Sequence, residues 1–385
     1  MTHPRFSYLA AALRWSLAGA MALTLAACGG NSDPPPPVTL TASLSGDQEV
    51  TPTATGALGT GTLTLESFSR AVTGSITLNG LTATAAHIHD GAIGINGPII
   101  VPLAETAAGS GVWSVPVGSV LTEAQAAAFS AGGLYFNAHS AANPGGETRG
   151  QIGRQVFAAQ MSGAQEVPAN ASVATANGLL SLDPTTKKFT ARVTVSGIAA
   201  SAAHIHDGVL GVNGAIIFPL TETAPASGVW VAAADATLSD AQLALLNAGA
   251  LYFNAHSAAL PGGEVRGQIG RNVRYANLSA AQEVPANAST ATGTGTLVID
   301  PATRGASGSI VLTGITAAAA HIHLGAPGVN GPIIVTLTDA GGGTWTVPAN
   351  TVLTADQLKA YKQGNLYYNA HSAAFPGGEI RGQIL

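Results

Sequence analysis

The chain has 385 residues and a formal net charge of −5, and only 9% of its residues are charged. Fifteen Lys and Arg against 20 acids form no basic tract or stripe, which excludes the usual electrostatic footprint of a nucleic-acid binder. Low charge does not make the chain disordered, because 46% of it is hydrophobic and β-branched residues recur in short runs.

The N-terminus reads as a targeting signal. Arg5 and Arg14 give positive charge, an apolar run extends from Leu17 to Ala27, and Leu25-Ala26-Ala27-Cys28-Gly29 closes it. The run is about half of the roughly 20 residues that a transmembrane helix needs. Small residues ahead of a cysteine resemble the lipobox of bacterial lipoproteins. The resemblance implies that residues 1–27 are a signal peptide and that Cys28, the only cysteine, is the lipidated first mature residue. It also implies a lipid-anchored place in the cell envelope. Gly29 is not the Asp associated with inner-membrane retention, so the outer membrane is expected. Residues 28–39 carry four prolines, Pro34 to Pro37, and form a semi-rigid tether. With no second cysteine, no disulfide can staple the remainder of the chain, and each folded unit must be held by its own core.

Beyond the tether the sequence repeats. Gln48-Glu49-Val50, Gln165-Glu166-Val167 and Gln282-Glu283-Val284 recur at one interval, and so do His87-Ile88-His89, His204-Ile205-His206 and His321-Ile322-His323. Trp113, Trp230 and Trp345 come next, then Asn137-Ala138-His139, Asn254-Ala255-His256 and Asn369-Ala370-His371. Each copy closes on Gly-Gly-Glu-x-Arg-Gly-Gln-Ile. These landmarks place three modules at 40–154, 155–272 and 273–385. Linkers between them are almost absent, which predicts a rigid rod.

Within a module, 60–65 and 72–78 alternate with period two and predict strands with one buried face; 99–101 and 112–115 read the same way. The loop after the first histidine pair holds Gly91, Gly94 and Gly97, matched at 208, 211, 214 and 325, 328, 331, a spacing suited to tight turns or close backbone approach. One helix of about three turns interrupts the strands. Thr122-x-x-Gln125, Ser239-x-x-Gln242 and Thr354-x-x-Gln357 are capping boxes, each preceded by Leu, and Gly132, Gly249 and Gly364 are C-terminal caps. The resulting fold class is all-β: tandem antiparallel β-sandwich modules, each with one short helix.

Nine of the ten histidines fall at equivalent positions, three per module. His87 and His89 lie on one strand face with Ile88 turned into the core. Tyr135, Asn137 and His139 share a face of another strand. If the two strands are neighbours, His87, His89 and His139 converge, as do His204, His206, His256 and His321, His323, His371. Three neutral imidazoles with an open position suit Zn²⁺ or Cu²⁺, up to one per module. The same histidines also fit a hydrogen-bonded network with Asn137 and Tyr135. A fourth acidic ligand is not available throughout, because Asp90 and Asp207 are matched by Leu324. Glu147 and Arg149, with Glu264 and Arg266, and Glu379 and Arg381, form i, i+2 pairs beside the third histidine. They read as a structural charge pair, or as a carboxylate that accepts from a ligating imidazole.

Together, Gln-Glu-Val, Ala-His-Ile-His, the Asn-Gly-Pro-Ile loop, Tyr-Phe-Asn-Ala-His-Ser and Pro-Gly-Gly-Glu-x-Arg-Gly-Gln-Ile resemble the CHRD domain, three times over. Copy two departs with Ala215 for Pro, and copy three with Tyr368 for Phe. The family is an extracellular module, so the resemblance implies an extracytoplasmic place and leaves the chemistry open. The His-x-His strand is also similar to the copper-binding strand of copper/zinc superoxide dismutase, although each copy here offers one further histidine and no disulfide. The expected function is a non-catalytic envelope lipoprotein that binds Cu or Zn through three-histidine clusters. Beside it stand a structural or adhesive envelope protein without metal, in which repetition supplies avidity, and a copper redox enzyme. Expected partners are the outer membrane, through the lipid, and an envelope or extracellular protein or glycan.

Overall fold

The computed structural model describes residues 35–385; the signal segment and Cys28 lie outside the described residues. Residues 36–385 form one compact unit. Among the described residues no helix is long and apolar enough to cross a membrane.

All strand pairs within the three modules are antiparallel. In module 1 three long strands, Val38–Ser45, Leu58–Leu65 and Val72–Asn79, pair in sequence. Their inward residues include Leu44, Leu63 and Ile76, while the alternate threonines face outward. The other half is built from Ile99–Pro102, the histidine strand Ala85–Asp90, Leu134–His139 and Thr148–Gln151, in that spatial order. Ser45 paired with Arg149 joins the halves. The two halves face each other across one apolar core, where Phe136 lies over Gly61 of the opposite strand.

In module 2 a single strand, Ile216–Glu222, pairs on both sides and closes the sheet into a barrel. In modules 1 and 3 the same stretch is broken into Ile99–Pro102 with Ala104–Glu105, and Ile333–Thr336 with Thr338–Gly341. Each module has its own core, with no residue shared between the three clusters. That is the outcome required of units without disulfides.

The helices Glu123–Ser130, Asp240–Ala248 and Ala355–Lys362 each start with a complete capping box. They are shorter than predicted, little more than two turns. Gly132, Gly249 and Gly364 end them in the left-handed region. The leucines preceding the caps, Leu121, Leu238 and Leu353, are buried and anchor the entry of each helix.

The rod is not observed. Module 1 touches both other modules, because its 3-10 turn at Gly46–Gln48 carries Asp47, which forms a buried ion pair with Lys362 of module 3 at 3.0 Å. Asn272 donates to the same carboxylate at 3.4 Å. On its other side, Ile93 of module 1 packs against Ala158 and Leu179 of module 2. Short linkers bring modules together, but the surfaces they carry decide the angle between them.

Candidate metal centre

The histidine strand lies beside Leu134–His139, with His87 opposite Asn137, His89 opposite Tyr135 and Ala85 opposite His139. Pleating therefore puts His87, His89 and His139 on one face, while Ile88 and Phe136 are buried in the core. The same register recurs for His204, His206, His256 and for His321, His323, His371. In each module one ring nitrogen from every histidine falls within 4.8 Å of the others.

Main-chain carbonyls fix which nitrogen is available. His89 Nδ1 lies 2.9 Å from Gly97 O, and His139 Nδ1 lies 3.0 Å from Pro144 O. A carbonyl only accepts, so both Nδ1 atoms carry the proton and both Nε2 atoms present lone pairs. His206 and His256 repeat this on Gly214 and Pro261, and His323 and His371 on Gly331 and Pro376. His87 Nδ1 lies 3.1 Å from His139 Nε2. The Nε2 atoms of His89, His206 and His323 are buried and have no hydrogen-bond partner among the described residues.

The family model for the CHRD domain matches residues 40–152, 157–269 and 274–384. The chain belongs to the CHRD domain family. It is a repeat protein of three tandem CHRD domains. No curated protein matches it.

In every CHRD domain burial holds the first two imidazoles below their ordinary value of 6.5. For His87 the neighbouring His139 and His89 add to that effect. For His89 the Gly97 carbonyl opposes burial, while His139 and Arg149 reinforce it. His204, His206, His321 and His323 shift the same way for the same leading reason. Neutral imidazole is the form that ligates a metal, so this environment keeps the donors ready at neutral pH.

Glu147 and Arg149 do not pair with each other. Glu147 accepts from the hydroxyls of Thr55 and Ser140. Arg149, 1% exposed, lies over the Tyr135 ring at 3.5 Å, and Tyr135 stacks on His89 with centroids 4.8 Å apart. Its guanidinium also donates to Ala92 O and Ile95 O in the loop after the histidine strand. Arg266 and Arg381 stack on Tyr252 and Tyr367 in the same way, and Glu264 and Glu379 accept from Ser172 and Ser289. The Nδ1–H groups of His89 and His139 are held by main-chain carbonyls and not by the Glu147 carboxylate. Those carbonyls, and the Arg–Tyr–His stack, are the parts of the site that residue spacing did not reveal. A backbone acceptor leaves no side-chain signature, although Gly97 gives a hint, since a Cβ there would collide with the Asp90 carbonyl.

Proposed function

We propose that each CHRD domain holds one transition-metal ion, Cu²⁺ or Zn²⁺, on its three imidazoles, and that the chain is a lipoprotein displaying three such sites at the outer membrane. The observation that carries the metal reading is the buried, unpartnered Nε2 of His89, His206 and His323. A buried polar atom without a partner costs about 1–3 kcal/mol, and this one recurs in all three domains. Three nitrogen donors without a carboxylate suit Zn²⁺ and Cu²⁺ rather than Mg²⁺ or Ca²⁺. In domain 1 two imidazoles already present lone pairs, so the one proton to relocate is that on His87 Nδ1, shared with His139 Nε2. The anchoring reading rests on the sequence around Cys28, and an envelope protein or glycan is the proposed partner.

One observation supports a metal-free polar network instead. The 3.1 Å contact between His87 and His139, repeated between His204 and His256, satisfies two of the three inward nitrogens without an ion. Electron paramagnetic resonance of residues 36–385 with Cu²⁺ separates the two. Metal binding predicts nitrogen couplings from imidazoles at up to one Cu²⁺ per domain, abolished by H89A, H206A and H323A together. An aqueous Cu²⁺ spectrum at the first equivalent would leave the polar network in place.

A further inference from the structure

The loop after the histidine strand sets one imidazole in every domain, because Gly97, Gly214 and Gly331 supply the carbonyls that hold His89, His206 and His323. What holds the loop differs between domains. In domains 2 and 3 the loop asparagine ties it down: Asn213 Nδ2 donates to Val167 O at 2.7 Å, and Asn330 Nδ2 to Val284 O at 2.6 Å. The same asparagines accept from Arg266 and Arg381. In domain 1 the corresponding guanidinium bond goes to Ile95 O.

The loop of domain 1 is seated on domain 2. Ile93, 9% exposed, forms a cluster with Ala158 and Leu179, with Val156 packed against it. Gly94 is in the left-handed region, and a Cβ there would meet Arg192 Cδ at 2.7 Å. By contrast, among the described residues nothing lies within 4 Å of a Cβ placed on Gly211 or Gly328. The receiving surface is particular to domain 2. Ala158, Leu179 and Arg192 stand where domain 1 has Thr41, Thr62 and Ser75, and where domain 3 has Tyr275, Thr296 and Ser309.

We infer that domain 2 is a working part of the first metal centre: Ala158, Leu179 and Arg192 position the loop that fixes the His89 tautomer, so the first site depends on a neighbouring domain and the other two do not. This rests on the metal reading above. Groups behind a ligating imidazole typically change metal affinity by 10–100-fold when lost, because they set ring orientation and tautomer. A short loop with few internal bonds is also among the least stable parts of a fold unless something packs on it.

The test uses residues 36–385 in three backgrounds, each keeping one histidine cluster, with the others disabled by alanine at His89, His206 or His323. Into each goes A158T/L179T/R192S, which gives domain 2 the residue types that domain 1 already carries on those strands. Zn²⁺ release into excess chelator is timed, and deuterium exchange of the amides at 91–97 is followed in the metal-free chain. The expected result is release roughly ten-fold faster from the first site, unchanged release from the second and third, and faster exchange in the loop. Unchanged release from the first site, or an equal change at all three, would overturn the inference while leaving the metal reading intact. Failure of every unsubstituted site to take up Zn²⁺ would remove the metal reading and this inference with it.

Discussion

Around the imidazoles the three domains repeat closely, whereas the surfaces on which they meet do not. The ring centroids of His87 and His139 are 5.0 Å apart, those of His204 and His256 5.0 Å, and those of His321 and His371 4.9 Å. The Arg-over-Tyr distances are 3.5, 3.6 and 3.5 Å. At the contacts, Asp47 is matched by Ala164 and Ala281, Lys362 by Ser130 and Asn247, and Leu179 by Thr62 and Thr296. A site copied three times answers to one set of chemical constraints. An interface between unlike positions needs its complement only once, so each copy is free to diverge there.

The largest effect expected from breaking one side of this contrast is at the ion pair between domains 1 and 3. The side chains of Lys362 and Asp47 are 7% and 3% exposed, so K362S leaves a buried carboxylate without its cation. We predict a loss of about 3–5 kcal/mol in urea unfolding, with most of it recovered in D47A/K362S, because replacing both partners removes the buried charge. The three histidine clusters should bind as before.

A smaller effect is expected on the side that repeats. Burial pushes Glu49 and Glu166 up to about 7, against the pull of Arg149 and Arg266, and Glu283 shifts the same way. A carboxyl raised on folding holds its proton in the native state and loses it in the unfolded chain. Their contribution to stability is therefore highest below the unfolded value of 4.5 and declines as pH rises toward 7. E49Q should remove its share of that decline, a gain on the order of 1–3 kcal/mol at pH 8 and little at pH 4. Thermal unfolding across pH checks it, and E166Q and E283Q should gain in the same direction.

The lowered imidazole values set a second pH dependence of opposite sign. Because burial holds His87 and His89 below the ordinary 6.5, protons compete weakly for these two nitrogens at neutral pH, and Zn²⁺ retention, followed by dialysis at stepped pH, should hold at neutrality and be lost as the medium is acidified. The smallest effect belongs to the helix caps. T122A, S239A and T354A each delete a hydroxyl that accepts from the third helical residue, and each should cost about 1 kcal/mol. Unequal losses would show that the caps, too, have come to depend on their neighbours.

Much of each domain was legible because its signals are local. Period-two alternation placed Ile88 inward and His87 and His89 together, and Thr122-x-x-Gln125 marked a helix start that is present as a full capping box. The adjacency of the histidine strand and Leu134–His139 was a condition rather than a reading, since pairing across some fifty residues leaves no trace in either strand's own pattern. The packing of the three domains was misread as a rod. Its signal lay in the positions where the copies disagree, such as Asp47 and Leu179, rather than in the landmarks where they agree. The carbonyls of Gly97 and Pro144, which choose the donor nitrogens, belong to the backbone and to no residue type.

Native mass spectrometry of residues 36–385 after exposure to Zn²⁺ and extensive dialysis, beside H89A, H89A/H206A and H89A/H206A/H323A, tests the central claim most directly. The account predicts one ion for each intact cluster, so that occupancy steps down from three to two, one and none as the clusters are removed. A folded wild-type chain that retains no zinc or copper, or one whose metal is indifferent to the substitutions, would contradict it.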